Sequence, residues 1–189
     1  MYLIPGILGF IACCLFDLNK IRWHSKALNS FFIIGSLLIV FSTAGVFLQS
    51  DFSTLKTAFQ MQHMLLLIGL ILSGVTLIYI LFFALPFENT YVANETLALV
   101  DHGVYALCRH PGFWMFALFY IFSGLLLSNR LLLMAAVIYS VCNLIYIYIQ
   151  DCYIFPHYIQ GYDEYKQAVP FLIPNRNSIQ KAFGRNGGN

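Results

Sequence analysis

LLLIGLILSGVTLIYILFFAL, residues Leu65–Leu85, contains no charged side chain from end to end. At 1.5 Å rise per residue, a helix of this length crosses the roughly 30 Å hydrocarbon core of a bilayer. The rest of the chain points the same way. Of its 189 residues, 60% are hydrophobic and only 10% are charged, against about 25% charged in ordinary soluble domains. A soluble fold of this size cannot bury that much apolar surface. The expected architecture is an all-α integral membrane bundle.

Working outward from Leu65–Leu85, four more apolar stretches give a bundle of about five transmembrane helices: Tyr2–Phe16, Phe31–Leu48, Phe113–Leu127 and Leu131–Ile149. The second and fifth stretches of the chain also approach the roughly 20 residues that a span needs. The first and fourth are short and need flanking residues or local thinning of the bilayer. The first does not read as a secretory signal, because its positive charges follow the apolar run instead of preceding it.

The charged residues orient this bundle. With alternating helices, Lys20, Arg22, Lys26, Arg109, Lys166, Arg176, Lys181 and Arg185 fall on one side, and only Lys56 and Arg130 on the other. The positive-inside rule then places the amino terminus outside and the carboxyl terminus in the cytoplasm. Two polar segments share the cytoplasmic side. Pro86–His110 carries Glu88, Asn89, Asn94, Glu95, Asp101, His102, Arg109 and His110, and Gln150–Pro174 carries Asp151, Asp163, Glu164 and several tyrosines. The second reads as a helical segment at the membrane interface. Residues 1–174 form one transmembrane domain whose polar half is about 86–174. The stretch 175–189 is expected to be a flexible cytoplasmic tail.

Other chemistries find little support. The net charge of +2 is too small to imply nucleic acid. Five cysteines (Cys13, Cys14, Cys108, Cys142 and Cys152) form no CxxC pair and no metal-spaced cluster. His102 and His110 are eight residues apart, without an acidic residue at a ligand spacing, so no metal is expected. No G-x-S-x-G turn is present for a serine hydrolase.

The densest polar run is Asp101-His102-Gly103-Val104-Tyr105-Ala106-Leu107-Cys108-Arg109-His110-Pro111. Pro111 suits the first turn of the fourth apolar helix, where its missing N–H is no loss. The free N–H groups and positive dipole end of that helix then face the preceding residues, where a carboxylate or phosphate can bind with Arg109 as a fork donor. Gly103 permits a close backbone approach. Arg and His at a membrane boundary ordinarily contact headgroups or mark topology; it is their grouping with a tyrosine-rich segment on the same side that favours a site.

The run Leu99-Val100-Asp101-His102-Gly103-Val104-Tyr105, followed by Arg109-His110-Pro111, resembles the cofactor-binding motif of the isoprenylcysteine carboxyl methyltransferases, relatives of the phospholipid N-methyltransferases. Gly161-Tyr162-Asp163-Glu164-Tyr165, then Val169-Pro170 and Ile173-Pro174, resembles that family's closing motif. The similarity covers about 86–174. It implies a small membrane methyltransferase using S-adenosylmethionine on a hydrophobic, membrane-associated acceptor. On this resemblance, Leu99, Val100, His102, Gly103 and Tyr105 line the cofactor pocket, and His110 and Pro111 shape it. Arg109 pairs with a carboxylate of cofactor or substrate, and Tyr162 and Tyr165 help to close the site.

The chain departs from the family pattern at two places. Where the family carries paired glutamates, one of them catalytic, ahead of the closing glycine, this chain has Asp151, Cys152 and Tyr153, so Asp151 alone supplies a carboxylate and the resemblance makes it, with Arg109, a catalytic candidate. After Arg-His-Pro, Phe113 and Met115 stand where a tyrosine and a glycine are usual. Two other functions share this architecture. One is a nicotinamide-dependent membrane reductase, though such enzymes usually have more helices. The other is a non-catalytic cofactor- or lipid-binding protein. Among acceptors, carboxylate O-methylation is favoured, with amine, phenol and thiol acceptors also compatible with a membrane-facing pocket.

Overall fold

The computed structural model describes residues 2–53, 60–84 and 99–183. These residues form helices and no β-strand. In chain order the helices are α1 (Leu3–Arg22), α2 (Phe31–Leu48, entered through a 3-10 turn at Lys26–Ser30), α3 (Met61–Phe82), α4 (Val104–Leu107), α5 (Pro111–Leu126), α6 (Arg130–Ile149), α7 (Phe155–Tyr158), α8 (Tyr162–Ala168) and α9 (Arg176–Phe183). The chain is an all-α membrane protein. Four stretches are long and apolar enough to cross a bilayer: Leu3–Arg22, Lys26–Leu48, Met61–Phe82 and Arg130–Tyr158.

The fourth apolar helix, α5, has 16 residues. At 1.5 Å per residue that is about 24 Å, shorter than the hydrocarbon core. Both of its ends are fixed: Pro111 starts it, and the Leu127–Ser128 turn stops it. Asn129 then caps α6, its Oδ1 accepting from Leu131 N at 2.8 Å and Leu132 N at 3.2 Å.

The first span is longer than the apolar run Tyr2–Phe16, because its polar residues find partners inside the bundle. Asp17 accepts from Tyr146 and Gln150, and Asn19 bonds the Ser25 backbone and Asn29. A polar residue satisfied in this way no longer ends a span.

α1 packs on α2, α3 on α5, and α5 on α6, with α1 also against α6. The core gathers Phe10, Val46, Tyr120, Leu132, Ala135 and Tyr139. Glycine sets the α1–α2 approach. A Cβ on Gly35 would fall 2.6 Å from the Gly9 carbonyl oxygen, and one on Gly9 would fall 2.6 Å from the Gly35 carbonyl oxygen. Lipid is as apolar as leucine, so polar side chains and close small-residue contacts hold such helices together. Two hydroxyl pairs inside the bundle act accordingly: Ser42 with Tyr139 at 2.5 Å and Thr43 with Tyr120 at 2.5 Å. The Ser42 hydroxyl also donates to the Tyr2 carbonyl. The outer faces of α2 and α3 are apolar and open, with Phe41 70% and Leu72 61% exposed, as suits a lipid solvent.

Two segments at the carboxyl end differ from the sequence reading. The interfacial stretch after α6 is not one helix: α6 continues through a π turn into α7, and α8 follows separately. Arg176–Phe183, expected within a flexible tail, is helical. Asn175 and Ser178 cap it reciprocally, Asn175 Oδ1 accepting from Ser178 N at 2.8 Å and Ser178 Oγ from Asn175 N at 3.0 Å. Lys181 then ties it to Asp101 at 2.9 Å. Residues 184–189 lie outside the described residues.

The glycine contact yields the first prediction. Gly35→Val should lower the thermal stability of the detergent-purified protein by about 1–3 kcal/mol, the usual cost of overpacking. Gly112→Ala, whose Cβ would meet Ile80 at an ordinary 3.4 Å, should change it little. Equal melting temperatures for Gly35→Val and the parent would refute the close packing of α1 on α2.

Candidate functional site

The site grows from an irregularity in α6. Pro156 has no N–H to return to the carbonyl one turn earlier, and its ring crowds that carbonyl. Just ahead of it the helix widens into a π turn, Gln150–Ile154, with Phe155 N–H bonding the Gln150 carbonyl. Such one-turn widenings rotate side chains out of α register. Asp151 sits on this turn and is 2% exposed.

A buried carboxylate requires compensating donors, and Asp151 has them from three directions. Arg109 bonds it through both arms of its fork, Nε to Oδ1 at 2.7 Å and a terminal nitrogen to Oδ2 at 3.0 Å. Tyr162 donates its hydroxyl to Oδ1 at 2.7 Å, and His110 Nε2 lies 3.3 Å from the same oxygen. Lys166 Nζ stands 3.5 Å from Oδ2 and donates to the Asp151 carbonyl at 3.2 Å.

The other terminal nitrogen of Arg109 donates to the Lys166 and Val169 carbonyls, at 2.8 and 2.6 Å. Arg109 was expected to hold a carboxylate of cofactor or substrate. The carboxylate it holds is the protein's own, and four of the five N–H donors of a guanidinium are engaged within the fold. The two catalytic candidates, Arg109 and Asp151, form a single ion pair.

Around this pair the two motif blocks are joined by backbone. Arg109 N bonds the Pro170 carbonyl at 2.9 Å and His110 N the Phe171 carbonyl at 3.3 Å. Trp114 Nε1 donates to the Leu172 carbonyl at 2.8 Å. The His110 ring stacks on Phe155 and meets Phe171 edge-on, with centroids 6.0 and 5.0 Å apart. The Arg109 guanidinium lies 5.6 Å from the Phe171 ring centre, in cation–π range.

Of the expected pocket residues, Tyr162 and Tyr165 are buried, and Leu99 packs against them with Val169. Tyr165 donates to the Tyr105 carbonyl at 2.7 Å, so α8 is tied to the turn that carries the first motif. Val100, Tyr105 and Pro111 are half-buried. His102 and Gly103 sit apart from the Asp151 cluster: the His102 side chain is 83% exposed, and a Cβ on Gly103, at φ 60°, would meet no heavy atom of the described residues within 4 Å. Among the described residues, an exposed imidazole beside a glycine with no neighbour in front of it leaves room for a ligand to approach the main chain. Glu88, Asn89, Asn94 and Glu95 lie outside the described residues.

The electrostatics follow from burial. His110 has its pKa lowered by burial, against the opposing pull of Asp151, so the ring is neutral near pH 7 and its Nε2–H donates to the carboxylate. Burial, reinforced by the Asp151 charge, raises the Tyr162 hydroxyl, and burial raises Tyr165. Both remain protonated donors. Lys181 lowers Asp101 at the rim.

Three participants escaped the sequence reading. Lys166 is one of several cations outside the apolar runs, with nothing local to single it out. Phe171 falls between the motif prolines, and Trp114 follows the Arg-His-Pro block. Their signal is proximity to the two blocks. All five cysteines are free thiols, and among the described residues no three His, Cys, Asp or Glu side chains gather as metal ligands.

No protein-family model, curated protein or solved structure matches the chain.

Two outcomes test this geometry. Asp151→Asn should destabilise the protein by about 3–5 kcal/mol, because Arg109 is left buried without its counter-charge. The second concerns acid. Below about pH 6.5 the unfolded chain binds a proton at position 110 that the folded ring resists, so stability falls as the pH drops and is level above that value. Melting curves from about pH 7 to about pH 5 should slope less for His110→Gln than for the parent; identical slopes would show that His110 is not held neutral.

Proposed function

We propose that this chain is a membrane-embedded methyltransferase that uses S-adenosylmethionine on a lipid-like or membrane-associated acceptor. One observation carries the reading. The two blocks that resemble isoprenylcysteine carboxyl methyltransferases, Leu99–Pro111 and Gly161–Pro174, meet around one buried carboxylate, Asp151. Blocks fifty residues apart have no local reason to converge. The amino terminus is proposed to lie outside the membrane and the carboxyl terminus in the cytoplasm. In support, the carboxyl ends of α1 and α6 meet through Tyr158, which donates to the Lys20 carbonyl at 2.5 Å, and the start of α5 joins the same end through Arg109.

Bound there, the cofactor supplies an electrophilic methyl group on a sulfonium. The fit rests on the open space before Gly103 and on the exposed His102. The chain's own residues position and enclose. Arg109 and Asp151 act as positioning residues that set the spacing between the two blocks. Tyr162 and Tyr165 close α8 over the cluster. Phe155 and Phe171 keep water from the ion pair. With an acceptor carboxylate, already an anion, an O–CH3 bond would form as the S–CH3 bond breaks, and the chain's own residues would have no proton to move. Acceleration then comes mainly from alignment, which agrees with a site whose ionisable groups are paired with one another. The same pairing of Asp151 favours, as a second reading, a member that binds cofactor or lipid without turnover.

Calorimetric titration of S-adenosylmethionine into detergent-purified protein should give one saturable site. His102→Ala, which removes no contact of the core, should weaken it about fivefold, the worth of a single hydrogen bond. A folded sample that binds no cofactor would overturn the methyltransferase reading and leave only the lipid-binding form of the second; binding without methylated product across carboxylate, amine, phenol and thiol acceptors would select the second.

A further inference from the structure

α9 (Arg176–Phe183) presents unlike faces. With about 100° between successive residues, Ser178 and Ala182 share the face turned to the protein, Ser178 being 1% exposed and Ala182 half-buried. To one side of that face stand Ile179 and Phe183, exposed at 44% and 76%. To the other side stand Asn177 and Lys181, and Lys181 Nζ bonds Asp101 at 2.9 Å. Arg176 and Gln180 are exposed on the outward side, where Arg176 borders Phe183. A helix lying on a soluble surface turns its large apolar residues inward. α9 turns small residues inward and leaves the large apolar ones on a flank.

The segment leading into α9 fixes its level in the membrane. Phe171 and Leu172 lie between two exposed aromatic residues of the spans. Trp114, in the first turn of α5, donates to the Leu172 carbonyl at 2.8 Å, and Tyr148, in the last turn of α6, meets the Phe171 ring edge-on at 6.4 Å. Trp114 is 41% and Tyr148 56% exposed. Such rings, apolar in body and polar at the tip, gather where a bilayer meets water. Ile173, the next residue, is 74% exposed, and only Pro174 and Asn175 separate it from α9.

We propose that α9 lies along the bilayer surface, with its Ile179–Phe183 flank at the boundary of headgroups and acyl chains and Arg176 on a lipid phosphate. The occupant is phospholipid because an apolar flank, a cation at its border and an aromatic belt beside its entry occur together, the pattern of an interfacial helix. A long cationic side chain reaches from such a flank to the headgroups. The contact also reaches the candidate site. α9 packs on α4, and Lys181 holds Asp101, so a bilayer that retains α9 steadies the turn carrying His102 and Gly103. The inference does not depend on methyl transfer.

The test uses the full chain in phosphatidylcholine nanodiscs. Phe183→Trp, made with fluorotryptophan, adds one fluorine resonance to those of Trp23 and Trp114. Lipid spin-labelled near the top of its acyl chain should broaden the added resonance more than lipid labelled near the terminal methyl or a paramagnetic chelate in the water. Ile179→Ser with Phe183→Ser removes the flank without touching Ser178 or Lys181. Hydrogen–deuterium exchange should then quicken about tenfold in residues 177–183, the worth of two large apolar side chains that are partly covered, and should also rise in 104–107. Gln180→Lys, on the outward side, should leave both segments unchanged. Broadening chiefly by the aqueous chelate, or parental exchange in the double serine variant, would overturn the proposal. So would a dimer cross-linked through Phe183→Cys, because a second copy would then cover the flank.

Discussion

A carboxylate with almost no access to water holds one end of this fold in place. Asp151 cannot remain charged at 2% exposure unless donors surround it, and its donors come from the start of α5 (Arg109, His110) and from α8 (Tyr162, Lys166). Each donor therefore fixes a chain segment as well as a charge. Arg109 does so twice, since its remaining bonds go to backbone carbonyls of the closing block. The positions of Tyr165 over Tyr105 and of Phe171 beside His110 follow from that arrangement. Buried ion pairs often add little net stability compared with apolar packing, but they penalise every alternative pairing heavily. Here the effect is to specify which loops meet.

Much of this was legible in the sequence. Uninterrupted apolar runs of span length have few physical interpretations, and the bundle followed from them. The two polar blocks were legible because glycines, prolines and aromatic residues cluster with charged ones at Asp101–Pro111 and Gly161–Pro174. Arg109 and Asp151 were both identified, but not as each other's partner. That pairing depends on the π turn, and although Pro156 is visible in the sequence, the turn it accompanies changes the register by an amount that no linear count provides. Asp17 was hidden for a related reason. Its partners Tyr146 and Gln150 are more than a hundred residues away, so a carboxylate at the end of an apolar run resembles a helix terminator until α6 is placed beside it. The helix at Arg176–Phe183 was missed because its stabilising contacts are a reciprocal cap and one tertiary ion pair, set in a stretch whose composition resembles a tail.

The chain thus divides its labour along the membrane normal. Hydroxyl pairs and glycine contacts assemble the spans, where lipid gives helices no hydrophobic reason to associate. Most charged groups among the described residues lie at one end, where they are either neutralised by one another or left at the rim, as with His102 and the Asp101–Lys181 pair. The π turn lies at the junction: Gln150 reaches back to Asp17 on α1, and Asp151 reaches across to Arg109 on α5. A single local widening of one helix therefore connects both polar clusters of the bundle.

Hydrogen–deuterium exchange of Asp151→Asn against the parent, in detergent, tests most directly whether one carboxylate holds the two blocks together. Faster exchange should appear together in residues 104–110 and 162–171, while α1, α2 and α3 keep their protection. Acceleration confined to the π turn, with both blocks as slow as in the parent, would contradict the account.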